Sequence, residues 1–484
     1  MISQDRFFIG GEWVKPAGSG FVDVISPITE EAFGRLPEST TADIDRAVAA
    51  ARLAFDEGDW PRMSIAERGE FLIRMAELLE PEFDRAVDLQ IDEMGGTGMF
   101  LRAWTEGITR AVPAMVAMAQ ALPTREIRDG IAGKIAVLRE PIGVVGAIIP
   151  WNCPFLFVMT KLLPAVLTGC PVIVKPAPET PLDGYIIAEA LARAGLPKGV
   201  VSIIPGGREV GEHLVSHRGV DKVTFTGSTV AGRRIASICG DQIKPVTLEL
   251  GGKSAAIVLE DADLDRHLPT LLGSAMLNTG QACVATTRIL APASRYGEVV
   301  DRLVTSLAGM KVGNPHEEDT AFGPLVAERQ RTRVEGYIKA GIDEGAKIAY
   351  GGGRPKIQKG WYVEPTIFTE VDNAMRIAQE EIFGPVAVVI RYDTPEQAVA
   401  IANDSAYGLG GGVYTRDIAH GMAIAKQIRT GTFTINDAPI GGGGGPSGGY
   451  KQSGIGREFN LEGFAAHYHL KSVGFPPGVT PPEA

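Results

Sequence analysis

Apolar and polar positions alternate along residues 7–36, with turns at Gly10-Gly11 and Ser26-Pro27. This is the pattern of short antiparallel strands. From about Asp43 to Met94 the period lengthens to that of helices. Ser64-Ile65-Ala66-Glu67 is a capping box, and Phe71, Leu72, Met75, Leu78 and Leu79 follow at helical spacing. A further helix is expected over 103–119, kinked or broken at Pro113. Residues 123–140 return to alternation about a turn signalled by Asp129-Gly130. That hairpin reads either as an ordinary sheet edge or as a surface for self-association, because an open strand edge can pair with another chain.

Between 144 and 258 the rhythm is strand, helix, strand. Strands are expected at 144–149, 172–175, 201–204, 223–226 and 246–250, with helices at 155–168, 182–194, 209–216 and 230–238. Apolar strands separated by such helices specify a parallel sheet covered on both faces. Ligands of such sheets lie beyond the carboxyl ends of the strands. The candidate functional residues of this stretch stand at those ends: Trp151-Asn152, Lys175, Pro205-Gly206-Gly207, Gly227-Ser228-Thr229 and Glu249. Gly227-Ser228-Thr229 joins a strand to a helix start, which suits either a phosphate or a plain turn with serine and threonine capping. It is not the GxGxxG fingerprint, and Gly143-Val144-Val145-Gly146 lacks that context too. A second α/β region follows Gly252. It has helices at 264–277, 298–308, 395–402 and 418–428, and strands at 288–291, near Val363 and at 387–392. The tail alternates at 466–473 and suits pairing with an edge strand.

The chain has 484 residues, enough for two or three domains, and 45% of them are hydrophobic, an ordinary globular content. A net charge of −11 argues against nucleic acid or an anionic membrane as partner. Residues 153–174 are nearly continuous apolar sequence, but Lys161, Pro154, Pro164 and Pro171 make them a buried helix and strand, not a membrane span. The first ten residues lack the apolar segment of a signal peptide, so a cytoplasmic protein is expected. Cys153, Cys170, Cys239 and Cys283 show no paired spacing, which points to free thiols in a reducing compartment, with no disulfide scaffold and no metal site.

The candidate chemistry centres on Asn278-Thr279-Gly280-Gln281-Ala282-Cys283. A cysteine on a loop beyond a helix, flanked by small and polar residues, can be exposed as a nucleophile; a lone cysteine is more often a small buried hydrophobe. Upstream, Leu248-Glu249-Leu250-Gly251-Gly252-Lys253 embeds one carboxylate among apolar neighbours at a strand end, where a raised pKa suits a base. Glu381-Ile382-Phe383-Gly384-Pro385 is a loop with a charged and an aromatic residue. The five glycines of 441–445 read as a flexible linker or as a mobile loop over a pocket.

Together these segments resemble the NAD(P)-dependent aldehyde dehydrogenase family from end to end. The motifs are Pro150-Trp151-Asn152, Lys175-Pro176, Phe225-Thr226-Gly227-Ser228-Thr229, the Leu248–Lys253 segment, Gly280-Gln281-Ala282-Cys283, Glu381–Pro385 and Ser453-Gly454-Ile455-Gly456-Arg457-Glu458. The resemblance implies an α/β fold with three parts: a Rossmann-like cofactor domain (1–122 and 142–251), an α/β catalytic domain (252–452), and a small β oligomerisation arm with the C-terminal tail (123–141 and 453–484). A homodimer or homotetramer is implied. Cys283 would attack the aldehyde, Asn152 and the Cys283 backbone N–H would hold the oxyanion, and Glu249 would activate the water that hydrolyses the thioester. Glu458 would stand in a proton path behind Glu249. NAD, with NADP possible, would be bound by Ile148, Ile149, Trp151, Lys175, Gly207, Gly211, Thr226, Gly227, Ser228, Leu250, Gly251, Glu381 and Phe383. The aldehyde pocket would comprise Cys153, Phe157, Thr160, Ala282, Val284 and Ser447.

The chain departs from the family pattern in two places. Pro178 stands where many members carry a ribose-binding glutamate, with Glu179 next, which leaves NAD against NADP open. Cys153, Thr160, Ser447 and the glycine run replace bulk around the tunnel, so bulky or aromatic aldehydes are expected alongside small ones. No aromatic set points to a quaternary-ammonium cage. Two alternatives remain, a CoA-acylating relative and a non-catalytic, crystallin-like scaffold. The presence of Glu249 with Cys283 favours hydrolysis over both.

Overall fold

The computed structural model describes residues 1–438 and 444–482. Its first large sheet runs in the order Gly454–Ile455, Val246–Glu249, Lys222–Thr226, Val145–Ile148, Val172–Lys175, Val201–Ile203, Phe7–Ile9, Glu12–Val14. The five central strands are parallel and the flanking ones antiparallel. Ile148 lies level with Phe225 on one side and Lys175 on the other, so the segments after these strands emerge at one edge. The winding reverses between Val145–Ile148 and Lys222–Thr226, and it opens a crevice at that edge.

Helix Pro154–Leu167 is buried over most of its surface, with Phe155, Val158, Met159, Leu162 and Leu163 in one core against Asp183–Ala194 and the sheet. That burial is why the run from 153 to 174 is apolar all round. Each such side chain stabilises the fold by roughly 1.5–3 kcal/mol before entropy is counted. Helix Thr41–Asp56 covers the other face with Arg208–Ser216. Helix Ile65–Leu79 starts at the expected capping box: Ser64 Oγ accepts from Glu67 N–H, and the Glu67 carboxylate accepts from Ser64 N–H. The expected helix about Pro113 is two helices, Gly98–Arg110 and Val112–Gln120, parted at the proline.

The second large sheet runs Lys347–Tyr350, Thr366–Thr369, Val386–Tyr392, Arg288–Pro292, Ala255–Val258, Gly411–Tyr414, Thr434–Ile435, parallel except for its first strand. The strand expected near Val363 begins instead at Thr366, after Pro365, which lacks the N–H a ladder needs; Val363 is a buried loop residue. Helix Glu328–Asp343 and the strands Ala255–Val258 and Gly411–Tyr414 did not register in the hydropathy pattern.

Arg125–Gly130, Gly133–Pro141 and Tyr468–Gly474 form a third, antiparallel sheet, so the alternating tail pairs with the hairpin edge. The hairpin turn falls at Ile131-Ala132. Asp129 and Gly130 remain in the ladder, opposite Lys134 and Gly133. Of the glycine run 441–445, residues 441–443 lie outside those described. Among the described residues no helix is long and apolar enough to cross a membrane.

Candidate active site

Glu249 closes its strand at the carboxyl edge of the first sheet. Its carbonyl accepts from Gly227 N–H at 3.0 Å, and the next residue, Leu250, donates its N–H to Ser453 at 2.9 Å. The side chain is buried. Burial first, then the like charge of Glu458, pushes its carboxyl up to about 8, against an opposing pull from Lys161. Behind it, Lys161 Nζ donates to the Glu458 carboxylate, which also accepts from Thr224 Oγ1 at 3.2 Å.

Cys283 follows three successive residues in the left-handed region, Asn278 (φ 53°), Thr279 (φ 56°) and Gly280 (φ 72°). A side chain on Gly280 would collide with the Gly384 carbonyl, so the loop lies directly on the Glu381–Pro385 segment. A Cβ on Gly252 would stand 2.5 Å from the Cys283 carbonyl oxygen. Side chains hold this shape. Asn278 Nδ2 donates to the Asn152 carbonyl at 2.9 Å, and Asn152 Nδ2 donates to the Gln281 carbonyl at 2.9 Å. Gln281 Oε1 accepts from Val326 N–H at 3.0 Å. Cys283 Sγ is thereby set 4.0 Å from Glu249 Oε2. Burial, then Glu249 and Glu381, raise the thiol well above its ordinary value. Asn152 has a second N–H beyond the one spent on Gln281.

Two clefts meet at Ser228 and Val230. One, of about 300 Å³, reaches Cys283 and is bordered by Trp151, Asn152, Thr226, Gly227, Leu250, Gly251, Glu381 and Phe383. Trp151 and Phe383 meet edge to face at 5.3 Å. Glu381 Oε1 accepts from Gly252 N–H at 3.0 Å, and burial holds its carboxyl up at about 7. The other cleft, of about 490 Å³, is bordered by Ile148, Lys175, Gly207 and Gly211. Lys175 Nζ donates to the Pro176 carbonyl at 3.1 Å and to the Gly206 carbonyl, and burial pulls its amine down to about 8. A Cβ on Gly211 would stand 3.3 Å from Lys175 Cε, so the bare glycine leaves room beside the amine. At their junction Ser228 caps helix Thr229–Asp241, whose first N–H groups face the cleft edge. An elongated, doubly lobed space with a helix start at its waist fits a dinucleotide.

The expected site residues therefore fall into three places. Cys283, Asn152 and most of the expected cofactor residues border the joined clefts, and Glu249 lies beside them, 4.0 Å from Cys283 Sγ. Ile149 lies with its side chain in the core beneath them. Thr160 borders a small separate cavity with Lys161, Glu458 and His467, and Ser447 pairs with Glu458 through two backbone hydrogen bonds of 2.8 Å. Cys153 is buried, Ala282 is buried on the thiol's own loop, and Phe157 and Val284 are half-buried. Pro178 and Glu179 both border the larger cleft, and the Glu179 carboxylate accepts from Arg329 at 2.6 Å. Gln330, Arg333 and Tyr407 border the smaller one unforeseen. Two of them ride on helix Glu328–Asp343, whose polar surface hid it.

A nucleotide-sized cleft along a parallel sheet, ending at a thiol beside a carboxyl, is the arrangement of a dinucleotide-dependent enzyme. The model of the "Aldehyde dehydrogenase family" matches residues 13–473. Geranial dehydrogenase of Castellaniella defragrans is 45% identical, over 98% of this chain and 99% of its own length. The crystal structure of a Mycobacterium tuberculosis aldehyde dehydrogenase complexed with NAD+ is 46% identical and covers 99% of both chains, with a TM-score of 0.97. A mutant aldehyde dehydrogenase of Pseudomonas syringae, solved with NAD+ and octanal, is 38% identical over 97% of this chain and 96% of its own, with a TM-score of 0.93. The chain belongs to the aldehyde dehydrogenase family, whose reaction is the oxidation of aldehydes.

Proposed function

We propose that this protein oxidises bulky, terpenoid or aromatic aldehydes to carboxylic acids with NAD, through a thioester on Cys283 that water hydrolyses. The observation that carries this is the 4.0 Å separation of Cys283 Sγ and Glu249 Oε2 at the end of a dinucleotide-sized cleft. Cys283 Sγ, its proton lost to water in the cleft, bonds as the thiolate to the aldehyde carbon, and the free Asn152 N–H and the Cys283 backbone N–H receive the oxyanion. A bound oxidised nicotinamide supplies the hydride acceptor and a positive charge near the sulfur. Glu249 then removes a proton from the water that attacks the thioester, and the acid leaves with the thiol restored. Glu458, paired with Lys161 behind it, gives that proton a route inward. Lys175 and the start of helix Thr229–Asp241 would bind the ribose and pyrophosphate, and Glu381 the ribose nearer the thiol.

The NAD+ complexes of similar proteins and the geranial dehydrogenase relative support the cofactor and substrate class. So does the small side chain at Cys153. The exposed Ile127, Ile131, Leu470 and Val473 on the third sheet support its role in joining subunits into a dimer or tetramer.

The test is absorbance at 340 nm over an aldehyde panel, with NAD and NADP in parallel and no CoA, on wild type and Cys283→Ala. Reduction by wild type alone, with kcat/KM for geranial or benzaldehyde at or above that for acetaldehyde, is the expected result. A requirement for CoA, or a steep fall from acetaldehyde to benzaldehyde, would overturn the hydrolytic or the substrate reading respectively.

A further inference from the structure

Lys253 follows the glycines behind the thiol, yet the chemistry above leaves it unused. It is 2% exposed, and its Nζ has no hydrogen-bond partner among the described residues. The adjacent Ser254 Oγ is buried and equally unpartnered. Both residues border one small cavity, with room for about one water-sized guest. Its far wall is the 407–411 segment, and a Cβ on Gly410 would lie 3.5 Å from Ser254 Oγ, so the hydroxyl faces that wall.

The charge around the cavity is mostly positive. Arg288 borders it, 1% exposed, and its guanidinium is spent on neutral acceptors: the carbonyls of Lys253, Ile401 and Ala402 and the side-chain oxygen of Asn373. Among the described residues Lys451 donates to the carbonyls of Asn403 and Ser405 and to no carboxylate. Burial, then Arg429 and Arg288, depress its amine, so these cations feel one another. Asp404, Glu380 and Glu381 are the acids within electrostatic reach. A buried ammonium that donates no hydrogen bond is among the costlier features a fold can keep. Water would accept a hydrogen bond from the ammonium but would add no negative charge beside Lys253 and Arg288, which Glu380, Glu381 and Asp404 offset only through space. A monatomic anion does both.

We propose that this cavity binds a single halide-sized anion, chloride under ordinary conditions, held by Lys253 Nζ and Ser254 Oγ in the field of Arg288. The site lies directly behind the active centre. Lys253 is one residue from Gly252, which binds Glu381, and Tyr407 borders both the anion cavity and the cleft at Cys283. Without a counter-ion, burial and Arg288 pull the Lys253 amine down to about 7. The anion would keep it charged.

Crystals grown without chloride and soaked in sodium bromide test this at the bromine absorption edge. An anomalous peak within hydrogen-bonding distance of Lys253 Nζ and Ser254 Oγ is expected. In solution, the thermal midpoint should rise by about 2 °C or more in about 0.2 M bromide relative to gluconate at equal ionic strength. Lys253→Met should abolish that rise, and Ser254→Ala should reduce it. If Lys253→Met does not fold, the wild-type map and Ser254→Ala still decide. A cavity peak without anomalous signal, or bromide bound only at the surface, would overturn the proposal. So would a halide-dependent rise that survives Lys253→Met.

Discussion

Cys283 Sγ faces Glu249 Oε2 at 4.0 Å, and the carboxylate makes the thiol harder to ionise. Glu249 is the second largest cause of the raised Cys283 thiol, after burial. Burial and the carboxylate thus both favour the neutral thiol, and a positive charge arriving in the cleft would oppose them.

Glu249→Gln separates the two steps. Removing the like charge lowers the thiol's pKa, so in cofactor-free enzyme the alkylation of Cys283 by iodoacetamide should become faster at pH 8 than in wild type. Cys153, Cys170 and Cys239 are buried, so mass spectrometry of the Cys283 peptide reports it cleanly. Turnover should fall by ~10²–10⁴-fold through loss of the base. A single-turnover burst of cofactor reduction should persist.

The same substitution alters stability against pH. The folded chain holds the Glu249 proton up to about 8, against an ordinary value of 4.5. A carboxyl with a raised folded pKa gives its full stability below the unfolded value and loses it as pH rises through the folded one. Wild type should lose stability between pH 5 and 9 through this group, and Glu249→Gln should lose less. Thermal midpoints of both proteins across that range check it.

Lys161→Met should act at a distance. Breaking the buried pair with Glu458 leaves an unmatched carboxylate, a loss of ~3–5 kcal/mol where it stays charged. Lys161 also opposes the rise in Glu249, so its removal should move the acid limb of the kcat profile to higher pH. A pH–rate profile with unchanged KM for NAD separates this from general damage.

Gly280→Ala should cost ~3 kcal/mol or more and most of the activity, since it adds a collision with Gly384 to a left-handed backbone. Gly297→Ala is the control. It lies in helix Tyr296–Ala308 with nothing within 4 Å of the added carbon, and should be neutral or stabilising by ~0.5–1 kcal/mol. The denaturant midpoint should fall for Gly280→Ala and hold or rise for Gly297→Ala.

The parts of this arrangement that are local in sequence could be read from it. The Ser64 capping box, the break at Pro113 and the five parallel strands rest on near-neighbour patterns, and so does the gathering of Trp151, Lys175, Ser228 and Glu249 at one sheet edge. What stayed hidden depends on partners far along the chain. Helix Glu328–Asp343 carries a buried stripe at Gln330, Val334, Tyr337, Ile338 and Gly341, but glycines and charges break its pattern. Gly411 and Gly412 look like a loop. They are strand residues because Phe433 and Thr434 fill the space their side chains would need. The family resemblance puts Thr160 and Ser447 in the aldehyde pocket, whereas their described contacts gather around Glu458.

Strand Gly454–Ile455 completes the edge of a sheet whose other strands are all made before residue 250. During synthesis, Val246–Glu249 therefore waits for some two hundred later residues before its outer edge is covered, and Lys161 is made 297 residues before Glu458. The half of the molecule that leaves the ribosome first carries an open strand edge and an unmatched buried cation. The Glu249 carboxylate reaches its final setting only once Gly454–Ile455 and Glu458 are made.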